Sequence, residues 1–163
     1  MRTDPAELCR ATLLRAMQIE SRNAGIYDAL AHLFQGYDES VRAIFCEMAA
    51  EERQHGAELE HRYHERYGPV PVSAEEIKEV IEAPDLDDPE ALIFDSMTIE
   101  QALEAGLRAE ETAREFYRRE VVHVSDRELQ TLYRELAEFE EEHVRLLTDK
   151  LAERRHAASP RGR

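Results

Sequence analysis

The sequence predicts an all-α fold, an antiparallel four-helix bundle with a long crossover between helices 2 and 3. Apolar residues recur at alternating steps of three and four along four stretches, which is the spacing of one buried helix face in a bundle. Capping sequences or glycines bound these stretches, as expected where helices begin and end. With 163 residues, the chain is expected to form one domain, residues 1–153, because domains cluster at ~100–150 residues.

The first helix is expected over about residues 5–35. Asp4 precedes a proline and can cap the free amides of the first turn. The buried face of this helix carries Glu20 and, two turns later, Tyr27 among apolar residues. Gly36 follows the last apolar position and ends the helix.

The second helix is expected over about residues 39–67, ending at Gly68. Its buried face carries Glu52 and His55. Because only a short turn separates the first two helices, they should be antiparallel neighbours.

Residues 69–97 interrupt the helical pattern with four prolines and an excess of acidic residues. A domain linker is one interpretation. We favour a crossover along the bundle, because the helices on its two sides complete one set of candidate ligands. A short helix is expected within it, from Ser73 to about Glu82, where Ser-Ala-Glu-Glu forms a capping box.

The third helix is expected over about residues 98–121, with Glu110 and Tyr117 on its buried face. The fourth is expected over about residues 126–153, capped by Ser125. Glu140 and His143 lie on its buried face.

The basic tail, residues 154–163, is expected to be disordered, since it is polar and contains proline and glycine.

The composition excludes several classes of function. There are 36 acidic and 21 basic residues, a net charge of -15, so binding to nucleic acid or to anionic membranes is not expected. No apolar stretch approaches the ~20 residues of a membrane span. Cys9 and Cys46 form no C-x-x-C pair. We therefore expect a soluble protein of the reducing cytoplasm, with neither a disulfide framework nor a thiolate iron centre.

The chemistry-bearing residues occur as a repeat. Each half of the chain has a glutamate, a tyrosine seven residues later, and a Glu-x-x-His motif on the next helix. The first copy is Glu20, Tyr27, Glu52 and His55, and the second is Glu110, Tyr117, Glu140 and His143.

Such a repeat predicts a site for two metal ions. Residues three apart share a helix face, so the glutamate and histidine of each motif can reach one point inside the bundle. Carboxylate and imidazole ligands suit iron, manganese or zinc. Two divalent cations would balance four buried carboxylates, which an apolar core does not accept unpaired.

A lone Glu-x-x-His is a weak signal in so charged a chain. Glu58 and His61 fit the same pattern but lie off the buried face, so a solvated surface pair is expected there.

Tyr27 and Tyr117 have two interpretations, a core residue whose hydroxyl needs a partner or a donor to a ligand carboxylate. Three glycines near the ligand positions either make room for a metal or allow close helix packing. They are Gly25, Gly56 and Gly106.

Over residues 8–151 this pattern resembles the rubrerythrin branch of the ferritin-like diiron proteins. The resemblance implies a site for two iron ions, with manganese or zinc as alternatives. By this resemblance, Glu20 and Glu110 would be terminal ligands, and Glu52 and Glu140 would bridge the two irons. His55 and His143 would each bind one iron.

Two departures from the family bear on function. Rubrerythrins carry a rubredoxin module with two C-x-x-C pairs, which this sequence does not contain, so a separate electron donor such as a rubredoxin-type protein is implied. Rubrerythrins also carry a further carboxylate three residues after the third-helix ligand, where this chain has Ala113. The remaining six-ligand set is closer to the bacterioferritin ferroxidase centre. A homodimer is expected by analogy.

Three functions remain open from the sequence. The first is reduction of hydrogen peroxide or dioxygen with electrons from an external donor, as protection from oxidative stress. The second is a ferroxidase or iron-binding role in iron storage or delivery. The third is a non-catalytic helical interaction module that a metal stabilises.

Overall fold

The structure is a computed structural model that describes residues 4–70 and 97–158. Within these ranges the chain forms four long helices and no β-strand, which confirms the all-α four-helix bundle. The helices are α1 (Pro5–Leu33), α2 (Glu39–Tyr67), α3 (Ile99–Glu120) and α4 (Arg127–Ala158). The short helix expected after Ser73 lies outside the described residues.

Side-chain caps begin the first three helices. The Asp4 carboxylate accepts a hydrogen bond from the backbone N–H of Ala6 at 3.1 Å, and Asp38 begins α2 in the same way. Thr98 and Gln101 form a reciprocal capping box at the start of α3. These caps satisfy amide groups that the first turn of a helix leaves unpaired.

Helix α4 begins one residue later than predicted, because Asp126 caps it in place of Ser125. The Asp126 carboxylate accepts a hydrogen bond from the Leu129 N–H at 2.9 Å. The same carboxylate forms an ion pair with Arg66, at the end of α2, at 3.2 Å. A serine hydroxyl could not make this charged contact, so the tertiary partner favours the later cap.

Helix α4 also ends later than predicted, at Ala158. Arg154 contacts Asp38 at 2.5 Å, and Arg155 contacts Glu104 at 2.6 Å. These ion pairs hold a helical turn at residues 154–158, for which the sequence predicts disorder. The rest of that tail lies outside the described residues.

Contacts between the two hairpins fix the helix directions on one side of the bundle. Tyr27, late in α1, meets Glu110, whereas Glu20, earlier in α1, meets Tyr117, later in α3. Helices α1 and α3 therefore run antiparallel.

The other side of the bundle shows the same arrangement. Glu51 and His55 of α2 meet His143 and Phe139 of α4, respectively, so α2 and α4 are also antiparallel. Since each hairpin is itself antiparallel, α2 and α3 must run parallel. The connection between them therefore has to link opposite ends of the bundle, about 43 Å apart for a 29-residue helix at 1.5 Å per residue.

The core is divided into two apolar clusters, one toward each end of the bundle. The first cluster includes Leu13, Leu14, Leu59, Tyr63, Phe116, Tyr117 and Tyr133. The second cluster includes Ile26, Tyr27, Leu30, Phe34, Phe45, Leu103 and Leu147. The glutamates and histidines of the repeat belong to neither cluster and form a polar layer inside an otherwise apolar core.

None of the helices in the described part of the chain combines the length and apolar character needed to cross a membrane.

Candidate metal centre

All six candidate ligands meet in the polar layer. Their donor atoms form two groups in which all atoms lie within 4.8 Å of one another. One group contains Glu20, Glu52, His55 and Glu140, and the other contains Glu52, Glu110, Glu140 and His143. Glu52 and Glu140 belong to both groups. This is the placement expected of two bridging carboxylates between two metal positions.

The four carboxylates are fully buried, and several of their oxygens have no donor. When the carboxylates are ionised, both oxygens of Glu52 and Glu140, and one of Glu20, have no hydrogen-bond partner among the described residues. The Nδ1 atom of His55 is also without one and lies 3.4 Å from Glu20. Unpaired buried charges cost several kcal/mol. The residues thus fit a pair of divalent cations, which would satisfy these atoms together.

Without a cation, the bridging positions must retain protons. Burial raises the pKa of Glu52 far above its usual range, and the nearby charges of Glu140, Glu20 and Glu110 raise it further. Burial also raises the pKa of Glu140, with Glu110 as the next largest cause. A proton on each group lets it hydrogen-bond to a neighbouring carboxylate. Metal binding would therefore have to displace protons from this layer.

Glu110 and His143 form the charged pair of the layer. Burial opposes ionisation of Glu110, but hydrogen bonds from Glu140, His143 and Tyr27 outweigh it and lower its pKa. Burial likewise opposes protonation of His143, yet its contacts with Glu110, Glu51 and Glu52 raise its pKa to about 9. The His143 Nδ1 atom lies 3.3 Å from a Glu110 oxygen.

The two tyrosines donate across the bundle, each to a ligand of the other hairpin. The Tyr27 hydroxyl donates to Glu110, and the Tyr117 hydroxyl donates to Glu20. Burial, followed by the charge of the acceptor carboxylate, raises the pKa of both phenols well above the ordinary value. Both hydroxyls therefore stay protonated and act as donors. The interpretation as donors to ligand carboxylates describes the observed contacts.

Two residues at the layer were not singled out from the sequence. Glu51 immediately precedes Glu52, and its carboxylate lies 2.6 Å from the Nε2 atom of His143. Asn23 is fully buried one turn after Glu20, and its side-chain amide has no partner among the described residues. A polar residue on the buried face of α1 was the available signal for Asn23. For Glu51 there was none, because it lies off the buried face.

The third Glu-x-x-His motif, formed by Glu58 and His61, lies on the surface, as expected. Glu58 is 45% exposed and pairs with Arg62, while His61 is 64% exposed and lies near Glu65. Neither belongs to a candidate metal group.

Comparison with known proteins agrees with this arrangement. A structure of an uncharacterised conserved protein from Magnetospirillum magnetotacticum shares the fold with a TM-score of 0.68. It is 22% identical in sequence, and the similarity covers 93% of this chain and 95% of that chain. No curated protein sequence matches the chain. The rubrerythrin family model matches residues 11–151, which include all six candidate ligands. The chain therefore belongs to the rubrerythrin family.

Proposed function

We propose that the protein is a diiron-carboxylate oxidoreductase that reduces hydrogen peroxide or dioxygen with electrons from an external donor. The observation that carries the proposal is the pair of ligand groups sharing Glu52 and Glu140. Two metal ions held by these shared carboxylates would form a two-metal site of the kind that stabilises charge on reacting oxygen atoms. Membership of a family named for rubrerythrin supports iron as the metal.

Each residue of the site has a defined task in this proposal. Glu20 and His55 would hold one iron, Glu110 and His143 would hold the other, and the shared glutamates would bridge them. Bound iron would supply the Fe(II)/Fe(III) exchange that reduction of peroxide or dioxygen requires.

The surrounding residues position the ligands and exclude water. Tyr27 and Tyr117 fix one oxygen of each terminal carboxylate, and the other oxygen, which faces the Nδ1 atom of a histidine, is the one that would bind a metal. The apolar clusters on both sides of the layer separate the site from solvent along the bundle axis.

The electrons would come from a separate protein such as a rubredoxin-type donor. Cys9 is buried and Cys46 is exposed, and both are free. Reduction of each peroxide would consume an electron pair, which this donor would have to supply. We propose that this chemistry takes place in the cytoplasm, where free thiols remain reduced.

We also propose that the protein forms a homodimer. Its mass in solution should then be twice the 18.9 kDa of one chain.

A ferroxidase or iron-handling role is the second candidate, and Ala113 favours it. This side chain is fully buried in the first apolar cluster, at the position where rubrerythrins carry a further carboxylate. The centre therefore keeps only the six symmetric ligands, as in a ferroxidase centre.

Rapid mixing separates the two redox functions. Anaerobic protein loaded with Fe(II) would be mixed with hydrogen peroxide or with dioxygen, and iron oxidation would be followed optically. Oxidation faster than that of free Fe(II), stopping at two irons per chain and repeating when a reductant is added, supports the oxidoreductase. Continued uptake of many irons per chain supports iron storage.

Variants test the site and the non-catalytic alternative. Glu52→Ala should abolish rapid oxidation, whereas Glu58→Ala, a surface glutamate on the same helix, should not. If wild-type protein binds two irons but oxidises them no faster than free Fe(II) with either oxidant, the redox proposal is wrong and a structural metal is favoured.

A further inference from the structure

The two Glu-x-x-His motifs are repeats, but the residue before each motif differs. Glu51 precedes the motif on α2, and Phe139 precedes the motif on α4. Both side chains are about half exposed, at 45% and 49%, at the edge of the polar layer. The two halves of the site therefore have the same types of ligand but differ in the residue at this edge.

Each of these residues contacts the histidine of the opposite motif. The Glu51 carboxylate lies 2.6 Å from Nε2 of His143. The Phe139 ring contacts the His55 ring, with 5.0 Å between the ring centroids and 44° between the planes. A carboxylate can accept a hydrogen bond from an imidazole N–H, whereas a phenyl ring offers no such acceptor in this position.

The Glu51 contact assigns different tasks to the two nitrogens of His143. Because the Nε2–H group donates to Glu51, the proton that His143 would give up on binding a metal is the one on Nδ1. Nδ1 faces the layer, 3.3 Å from Glu110 and 3.5 Å from Glu52. The imidazole is thus held in the orientation in which Nδ1, once it has lost its proton, can bind a metal.

His55 does not receive this support from Phe139. Its Nδ1 atom faces Glu20 at 3.4 Å, so the ring is oriented toward the layer, but its contact with α4 is packing against an aromatic ring. Carboxylates behind metal-bound histidines typically strengthen metal affinity by about 10–100-fold.

From this difference we propose that Glu51 is a positioning residue that makes the two metal positions unequal, so that the position held by His143 fills first and more tightly. The inference rests on the proposed two-metal centre and adds an order of filling that the symmetric ligand set does not predict. It also assigns Phe139 as the reason that the position held by His55 is the weaker one.

The test is a titration of metal-free, full-length protein with Co²⁺, followed by visible absorption and by calorimetry. Wild-type protein should bind two equivalents in separate steps. Glu51→Gln keeps the size of the side chain but removes the carboxylate charge. It should weaken the first step about 10–100-fold and leave the second within about threefold.

Matched variants control for fold and for general charge. Glu58→Gln, at an exposed position on the same helix, should leave both steps unchanged. Phe139→Glu supplies the missing carboxylate to His55 and should strengthen the second step toward the first. A variant with Glu51→Phe and Phe139→Glu together should reverse the order of filling.

Nitrogen NMR of the Zn²⁺-loaded protein identifies the position affected. In wild-type protein the His143 ring should show a protonated Nε2 with a downfield proton, and Glu51→Gln should shift that proton upfield without shifting the His55 signals. A merely structural role for Glu51 would not produce this selective change.

The outcomes separate this inference from the proposed function. Two equivalents bound with equal affinity, or equal weakening of both steps by Glu51→Gln, overturn the inference and leave the two-metal centre standing. Binding of no metal by the wild-type protein overturns both.

Discussion

Metal-free protein should lose stability as the pH is raised from 5.5 to 7.5. The pKa values of Glu52 and Glu140 are raised in the folded state, so both keep protons that ordinary carboxyl groups, with a pKa of ~4.3, release on unfolding. A group whose pKa is raised by folding stabilises the protein fully below its unfolded pKa. That contribution is lost as the pH rises toward the folded value.

The size of the effect follows from the number of retained protons. Each proton held only by the folded state corresponds to ~1.4 kcal/mol per pH unit. Glu52 and Glu140 interact, so we expect between one and two protons, or ~1.4–2.7 kcal/mol per pH unit. For a chain of this size that is about 3–11 °C in Tm per pH unit. His143, with its pKa raised to about 9, acts in the same direction above pH 6.5.

Other titrations do not obscure this range. The pKa values of Asp38, Asp126 and Glu110 are lowered in the folded state, so these groups make stability rise with pH only in the acidic range below ordinary carboxyl values.

Thermal unfolding, followed by circular dichroism in the presence of a chelator, gives the Tm at pH 5.5, 6.5 and 7.5 and so the slope of Tm against pH. In protein loaded with metal the Tm should fall less with rising pH, because the cations replace the protons. Replacing Glu52 and Glu140 together by Gln removes the titrating groups and should flatten the slope. A Tm that stays constant or rises with pH in metal-free wild-type protein would refute the reasoning.

Five further substitutions, in three sets, test the surroundings of the site by denaturant or thermal unfolding. Tyr27→Phe and Tyr117→Phe should each destabilise metal-free protein by ~2 kcal/mol, since each removes a buried hydrogen bond to a carboxylate; no loss would contradict the crossed pairing. Gly25→Ala should stabilise by ~1 kcal/mol, because a Cβ there meets open space, whereas Gly106→Ala should not, since its Cβ would lie 3.2 Å from a leucine side chain. Asn23→Leu should stabilise by ~1–3 kcal/mol by removing unpartnered buried polar atoms, and a loss of stability would show that the amide has a partner.

The fold class and the composition of the polar layer could be predicted because both depend on spacing along a helix. Residues such as Glu52 and His55 share a face in any helix, and a face that also carries apolar residues must be buried. Four helices with such faces pack together as a bundle. The glutamates and histidines lie at similar positions along these helices and therefore form one layer. The structure brings the six predicted ligands together for this reason.

Features that depend on contacts between helices could not be predicted in this way. The pairing of Tyr27 with Glu110 depends on the antiparallel direction of α1 and α3, which the sequence of either helix does not determine. Glu51 lies off the buried face of its own helix and reaches the site only because α4 presents His143 beside it.

The residue that caps a helix can also depend on a contact with another helix. Ser125 and Asp126 are both good caps by type, and Arg66, distant in sequence, favours the second one. The start of α4 is therefore decided by a contact with α2, whereas its buried face follows from the spacing of its own residues.

The polar layer between the two apolar clusters has a consequence for how the protein opens. Without metal, the clusters meet at a plane of buried carboxyl groups instead of a continuous hydrocarbon core. The two ends of the bundle should then exchange amide hydrogens as separate cooperative units, with the slowest amides beside Tyr63 and Phe45, which are fully buried members of the two clusters. A pair of cations bound by all four helices would join these units into one. Hydrogen exchange would thus report metal occupancy far from the ligands themselves.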